Sequence, residues 1–241
     1  MIYIGTSGFY YKHWRGLFYP EELPKKEYLN FYSKNFNSVE LNITFYRLPK
    51  ENTIKNWGLQ TPENFSFVCK VWRRVSHLKK LNDIEDDLKY FLNLMKNFGK
   101  KLKALLLQLP PSFKFNKEKI LEFKKNYDLE IPFVIEARNK TFFESSSIDF
   151  FCQNKLSLSS IDSPNFKEKY FYTANPFYLR LHGSKSLYSS LYTKEELKKA
   201  IDYIKKNVPS DSDIFIFFNN DFNCYAIQNA KEILDMIRYG L

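Results

Sequence analysis

Short apolar runs rich in β-branched and aromatic residues alternate with helical patterns along the whole chain, and this alternation constrains the fold more than any other feature. Eight such runs occur, at Ile2–Thr6, Ser38–Asn42, Ser66–Trp72, Ala104–Leu109, Phe133–Arg138, Leu156–Asp162, Phe177–His182 and Ile214–Asn219. Their length and composition are those of strands. Across Asp83–Phe98 the residues Ile84, Leu88, Phe91, Leu92 and Met95 recur at steps of three and four, the period of one helix face, and Gly99 supplies a left-handed stop. Thr193 followed by Glu196 has the form of a capping box, opening a helix with Leu197, Ala200, Ile201 and Ile204 on one side. Weaker helical patterns cover 26–36, 52–60, 116–127, 145–155 and 229–239.

Strand then helix, about eight times in roughly 250 residues, is the arithmetic of an α/β fold of the (β/α)8 TIM-barrel type. The sequence therefore predicts a single TIM-barrel domain over 1–241, with an irregular sixth crossover, because 163–176 holds two prolines and no helical face. The competing architecture is an open doubly wound sheet. Gly5-Thr6-Ser7-Gly8 after the first run lacks the spacing of a dinucleotide-binding glycine turn.

Side chains alternate across a strand, so parity separates two faces. In Phe133–Arg138 the even positions are Glu136 and Arg138, against Phe133, Ile135 and Ala137. Glu40 and Asn42 oppose Val39 and Leu41, and Arg180 and His182 oppose Leu179 and Leu181. Lys70, Gln108, Asp162 and Asn219 fall at or beside the carboxyl ends of their runs. Helices cover the apolar parity, so the polar parity is expected to face inward and gather at the carboxyl-terminal mouth, where barrel active sites form. Buried charges are costly unless paired. The bland alternative is a closed ring of ion pairs, three acids (Glu40, Glu136, Asp162) against three cations (Lys70, Arg138, Arg180).

The functional reading assigns acid–base catalysis to Glu40 and Glu136 with help from His182. It assigns substrate binding to Arg138 and Arg180 as anion-gripping forks and to Lys70 as a third cation. Asn42, Gln108 and Asn219 bind hydroxyl or carbonyl oxygens, Asp162 joins them, and Trp14 and Tyr46 form stacking walls. His13 and His77 fall in expected loops and read as surface or packing residues. A divalent metal at His182 with the three acids is the less favoured option because three cations are expected beside them, and no cofactor is specified.

The partner is expected to be an anionic or sugar-like small molecule, and the chemistry hydrolysis, isomerisation or lyase action. Nucleic acid is the less favoured partner. The formal charge is +10, from 37 Lys and Arg against 27 Asp and Glu, yet the lysines are dispersed over expected surface helices and turns. No run approaches the roughly 18 apolar residues of a membrane span, and Met1 leads directly into a strand-like segment, so a cytoplasmic protein is expected. Cys69, Cys152 and Cys224 are odd in number and widely spaced, which excludes a disulfide scaffold or zinc finger.

Several blocks also carry a family resemblance. Gly5-Thr6-Ser7-Gly8 with Trp14, Gly16 and Phe18-Tyr19-Pro20 is the first, followed by Val39-Glu40-Leu41-Asn42 with Thr44-Phe45-Tyr46. Gln108-Leu109-Pro110-Pro111-Ser112, Glu136-Ala137-Arg138 and Tyr178-Leu179-Arg180-Leu181-His182-Gly183 continue it, and Phe218-Asn219-Asn220 with Asn229-Ala230 completes it. The chain resembles the YecE-like family (domain of unknown function 72) over its whole length. The resemblance implies a TIM barrel and no established reaction. Similar proteins usually continue the fifth-strand motif as Arg-His-x-Ser-Trp, where this chain has Arg138-Asn139-Lys140-Thr141-Phe142. A basic residue common after the seventh strand is replaced around Leu191, and a common glycine by Cys224. If those positions touch substrate in similar proteins, the departures imply altered specificity or reduced activity.

Overall fold

The structure, a computed structural model, describes residues 1–127 and 130–238. Its strands are β1 (Ile2–Thr6), β2 (Ser38–Leu41), β3 (Ser66–Lys70), β4 (Leu102–Gln108), β5 (Phe133–Glu136), β6 (Ser157–Leu158), β7 (Ser160–Ser163), β8 (Phe166–Lys169), β9 (Phe177–Leu181) and β10 (Ile214–Phe218). Its helices are α1 (Tyr28–Ser33), α2 (Ile43–Tyr46), α3 (Glu51–Leu59), α4 (Glu85–Met95), α5 (Lys117–Asn126), α6 (Ser145–Gln153), α7 (Lys194–Asn207) and α8 (Tyr225–Arg238). The pattern at 229–239 thus begins earlier, at Tyr225, and its last residue lies outside the described residues.

The strands form two five-stranded sheets: β2-β3-β4-β5-β6, and β1-β10-β9-β7-β8. The β3-β4, β4-β5 and β5-β6 pairs are parallel, whereas the second sheet is mixed because β8 runs antiparallel to β7. The expected closed eight-stranded TIM barrel is therefore corrected to a two-sheet α/β arrangement with helices between the strands. Two local causes appear. The run Leu156–Asp162, expected as one sixth strand, divides at Ser159: β6 pairs with β5, and β7 pairs with β9. The stretch 163–176, expected as irregular crossover, instead folds back as β8 and occupies the other edge of β7, so the ladder stops there. Among the described residues, the backbone pairing of Ser7 with Glu40 is an isolated bridge outside the strand ladders.

The chain divides into two compact units. The first comprises Met1–Glu40, Ser160–Tyr172 and Pro176–Leu241, and the second Leu41–Ser159 and Thr173–Asn175. In the first, α8 buries Ala226, Ile227, Ala230, Ile233 and Met236, and α7 buries Leu197, Ala200 and Ile201. The Thr193 hydroxyl accepts from the Glu196 amide and the Glu196 carboxylate from the Thr193 amide, which satisfies two otherwise unpaired donors at the start of α7. In the second unit α4 turns Leu88, Phe91, Leu92 and Met95 inward. It ends at Met95 rather than Phe98, and Gly99 takes φ +55° in the 3-10 turn that follows.

Candidate functional site

In the first unit, alternation places Tyr178, Arg180 and His182 on one face of the β9 segment. Register pairs Tyr178 with Phe215 and Arg180 with Phe217, and these with Tyr3 and Gly5. Tyr3 stacks on Phe215 at 4.5 Å between ring centroids, and Tyr178 lies 5.7 Å from Phe215 and 5.5 Å from Phe217. An aromatic floor results. Gly5 has a specific reason to lack a side chain: a Cβ there would sit 2.0 Å from the Ser38 carbonyl oxygen. That close approach lets Ser7 reach Glu40.

Glu40 is fully buried and accepts three hydrogen bonds: from Ser7 Oγ (2.6 Å) and Arg180 Nη2 (2.6 Å) on Oε1, and from the Tyr178 hydroxyl (2.6 Å) on Oε2. Arg180 Nη2 also reaches Ser7 Oγ at 3.2 Å. Charge-assisted bonds of this kind hold a buried ion pair in one geometry. Both Glu40 oxygens are thus occupied by donors, and the carboxylate bridges Ser7, Tyr178 and Arg180. His182, also fully buried, has Nδ1 3.0 Å from Asn219 Nδ2 and Nε2 3.5 Å from Arg180 Nη1. Glu40, Arg180, His182 and Asn219 are thus brought together, with Ser7 and Tyr178 as members the sequence reading missed. Parity was the available signal for Tyr178, which shares a face with Arg180 and His182.

Asp162 and Trp14 have other surroundings. Asp162 pairs in register with Leu181, so it lies on the opposite face from Arg180, and its Oδ1 accepts from the Glu168 amide at 2.7 Å. Burial is the main cause raising its carboxyl pKa, against the lowering effect of that amide. Trp14 is fully buried among Tyr11, Phe18 and Tyr19, and its indole N–H donates to the Asp221 carbonyl at 3.0 Å. Its ring anchors the loop and offers no exposed wall.

In the second unit, Lys70, Gln108 and Glu136 end three consecutive parallel strands, β3, β4 and β5. Register pairs Lys70 with Leu106, Leu106 with Val134, and Gln108 with Glu136, so all three polar groups share a face. Gln108 Nε2 donates to Glu136 Oε2 at 2.9 Å, and Arg138 Nη2 lies 2.5 Å from Glu136 Oε1. Glu136 is fully buried, while Arg138 keeps 15% side-chain exposure. The Lys70 ammonium sits 4.2 Å from the centre of the Phe45 ring, a cation–π contact. Thr44 fixes the turn beside it by donating to the Lys70 and Leu41 carbonyls. Asn42 is half-buried at the start of α2, and Tyr46 is exposed at its end, 4.9 Å from Phe45.

His77 adds a titrating group here. It lies in a π-helical turn, Arg74–Leu78, with its ring 4.8 Å from Phe45 and Nδ1 2.9 Å from Ser76 Oγ. Single π-turns of this kind recur at functional sites. Its pKa is lowered to about 4, by burial first and then by Lys70 and Arg73, with Glu136 opposing and Arg138 reinforcing. The histidine read as a packing residue therefore senses the field of this cluster, which is positive on balance. No spacing rule marks a π-turn, so the sequence held no signal for it beyond its position seven residues after Lys70.

The departures from the family pattern also find places. Asn139 caps the 3-10 turn Lys140–Phe143 by accepting from the Thr141 amide, and donates to the Pro111 carbonyl at 2.7 Å. Phe142 is fully buried against Phe115 and Phe151. Leu191 is half-buried beside Tyr192, and Cys224 takes φ +60°, a conformation natural for glycine. Among the described residues no group of three or more His, Cys, Asp or Glu is arranged to hold a metal ion. None of their helices is long and apolar enough to cross a membrane.

Fold and side-chain clusters together define an α/β protein with buried acid–cation groups at strand ends. The chain belongs to the family described as protein of unknown function DUF72, whose model matches residues 3–240, and the YecE-like resemblance is borne out. The UPF0759 protein YunF of Bacillus subtilis (strain 168) is 25% identical over 272 residues, covering 98% of this chain and 95% of YunF. The UPF0759 protein YecE of Escherichia coli (strain K12) is 31% identical over 144 residues, 59% of this chain and 50% of YecE. A crystal structure of a DUF72 family protein from Thermotoga maritima matches with a TM-score of 0.86 and 26% identity over 99% of both chains. The family has no assigned reaction.

Proposed function

We propose that this protein is a cytoplasmic enzyme that binds an anionic, polyhydroxylated or ring-containing small molecule and works by acid–base chemistry, as a hydrolase, isomerase or lyase. The observation that carries the reading is the placement of Lys70, Gln108 and Glu136 at the carboxyl ends of three neighbouring parallel strands, with Arg138 alongside. Ligands of α/β sheets bind outside those ends. Arg138 is the cation best placed to meet a ligand, since it is oriented by Glu136 yet partly exposed, whereas Glu40 and Arg180 are 0% and 1% exposed. In this reading Arg138 and Lys70 hold the anionic group, Glu136 transfers the proton, Asn42 and Gln108 bind oxygens and Tyr46 flanks a ring. In the other unit Glu40 is a positioning residue for Arg180, and His182 with Asn219 forms a second proton-handling pair. Three free cysteines, Cys152 exposed, suit a reducing compartment.

A thermal-shift screen against phosphorylated and carboxylated sugars tests this. The expected result is an anionic hit that raises the melting temperature of the wild type and leaves Arg138→Met unmoved. Equal stabilisation of both proteins, or no anionic hit, overturns the assignment.

A further inference from the structure

The loop between β1 and α1 carries a second feature, outside the clusters described above. Tyr10, Lys12, Arg15, Lys25 and Tyr28 line a cavity of about 230 Å³. Its base is rigid: Tyr28 is 2% exposed and stacks on Tyr19 with centroids 3.9 Å apart and planes 10° from parallel. Tyr10 lies 5.7 Å from Tyr28 and is 50% exposed, so one phenol ring is open to a ligand. Lys12 opens a short 3-10 turn that ends in the buried Trp14, and Lys25 opens another after Pro24. Both loops are thereby held in place.

The charged residues that line the cavity are all cations, with the Glu21 carboxylate beside Arg15 as the neighbouring acid. The Arg15 Nε donates to the Glu21 carbonyl at 2.6 Å and lies 3.4 Å from the Glu21 carboxylate, which fixes the guanidinium, and its Nη groups donate no hydrogen bond to another of the described residues. Neither Lys12 nor Lys25 enters an ion pair among the described residues. Three cations beside an open aromatic ring match a ligand that carries concentrated negative charge on one side and a flat ring on the other. A guanidinium fork with two ammonium groups suits phosphate oxygens, and an exposed phenol ring suits stacking.

We propose that this cavity binds a phosphate monoester carried on a flat ring, of the nucleoside monophosphate class. Lys12, Lys25 and the Nη groups of Arg15 take the phosphate, and Tyr10 takes the ring. The proposal does not depend on the acid–base reading. To test it, the full chain and its Lys12→Gln/Lys25→Gln and Tyr10→Ala variants are titrated calorimetrically with AMP and with adenosine at low salt, with folding checked by circular dichroism. The expected result is saturable AMP binding, weakened about tenfold or more in the double-lysine variant, as expected for loss of about 1.4 kcal/mol or more from charged hydrogen bonds. Tyr10→Ala weakens AMP by about fivefold or more, in line with loss of a stacking contact. Adenosine binds at least about tenfold less tightly than AMP. No AMP binding, equal affinity for adenosine, or unchanged affinity in the double-lysine variant overturns the site. Arg138→Met retains AMP binding if the proposal holds, and loss there with retention in the double-lysine variant would move AMP to the strand ends and overturn it.

Discussion

Protonating His77 is harder in the folded chain than in the unfolded one, because burial and the neighbouring cations Lys70 and Arg73 oppose a further positive charge. Its folded pKa of about 4 lies below the ordinary 6.5, so the unfolded state binds the extra proton first as pH falls. The stabilisation is complete above the unfolded value and is lost as pH drops from about 6.5 towards about 4. Allowing for its half-exposed ring, the effect amounts to about 1–2 kcal/mol. His77→Asn should therefore flatten the pH dependence of urea midpoints across that window. Parallel curves for the two proteins would refute this. Single side chains were legible where strand parity governs them: Glu40 with Arg180 and His182, and Glu136 with Gln108 and Arg138. Asp162 was misplaced because the split at Ser159 and the fold-back to β8 put it on the Leu181 face. Ser7 was missed because a neutral hydroxyl on a strand end carries no charge signal.

A hinge of amides ties the loop after β9 to α8. Asn229 Oδ1 accepts from the Tyr192 amide and from Asn220 Nδ2, and its own Nδ2 donates to the Tyr192 carbonyl, with all these bonds at 3.0 Å. Asn220 also donates to the Ser190 carbonyl at 2.9 Å, and the Tyr192 hydroxyl accepts from the Gly183 amide at 2.9 Å. Because Asn229 and Asn220 are fully buried, Asn229→Leu leaves several polar groups unsatisfied. The expected loss is about 2–3 kcal/mol, read from chemical denaturation, together with faster proteolysis between Ser184 and Tyr192. Stability and cleavage rate equal to wild type would show the network to be dispensable. At this scale the strands and helices were legible, usually within a few residues, since period and capping act locally. The exception is β8: Phe166–Lys169 is short and mostly charged, with a positive-φ residue at Glu168, and only its partner β7 makes it a strand.

Glu40 joins segments that are remote in sequence, taking donors from Ser7 near the start and from Tyr178 and Arg180 more than a hundred positions later. Removing one charge from a sealed pair strands the other, at about 3–5 kcal/mol. Glu40→Gln is expected to lose about that much stability, and Glu40→Gln/Arg180→Met to recover part of it. A double variant as unstable as the sum of the two single changes would argue against coupling. Whole-molecule topology was the least legible level. Counting strand–helix repeats predicts how many strands exist, but not where a hydrogen-bond ladder ends, which here depends on one short hairpin. That hairpin has a further consequence. An uncovered β7 would present free amides and carbonyls to the backbone of another molecule, whereas the outermost strand is Phe166-Lys167-Glu168-Lys169, kinked at Glu168 and largely exposed with alternating charge. Such a border repels strand addition, so this side of the sheet is guarded against filament growth.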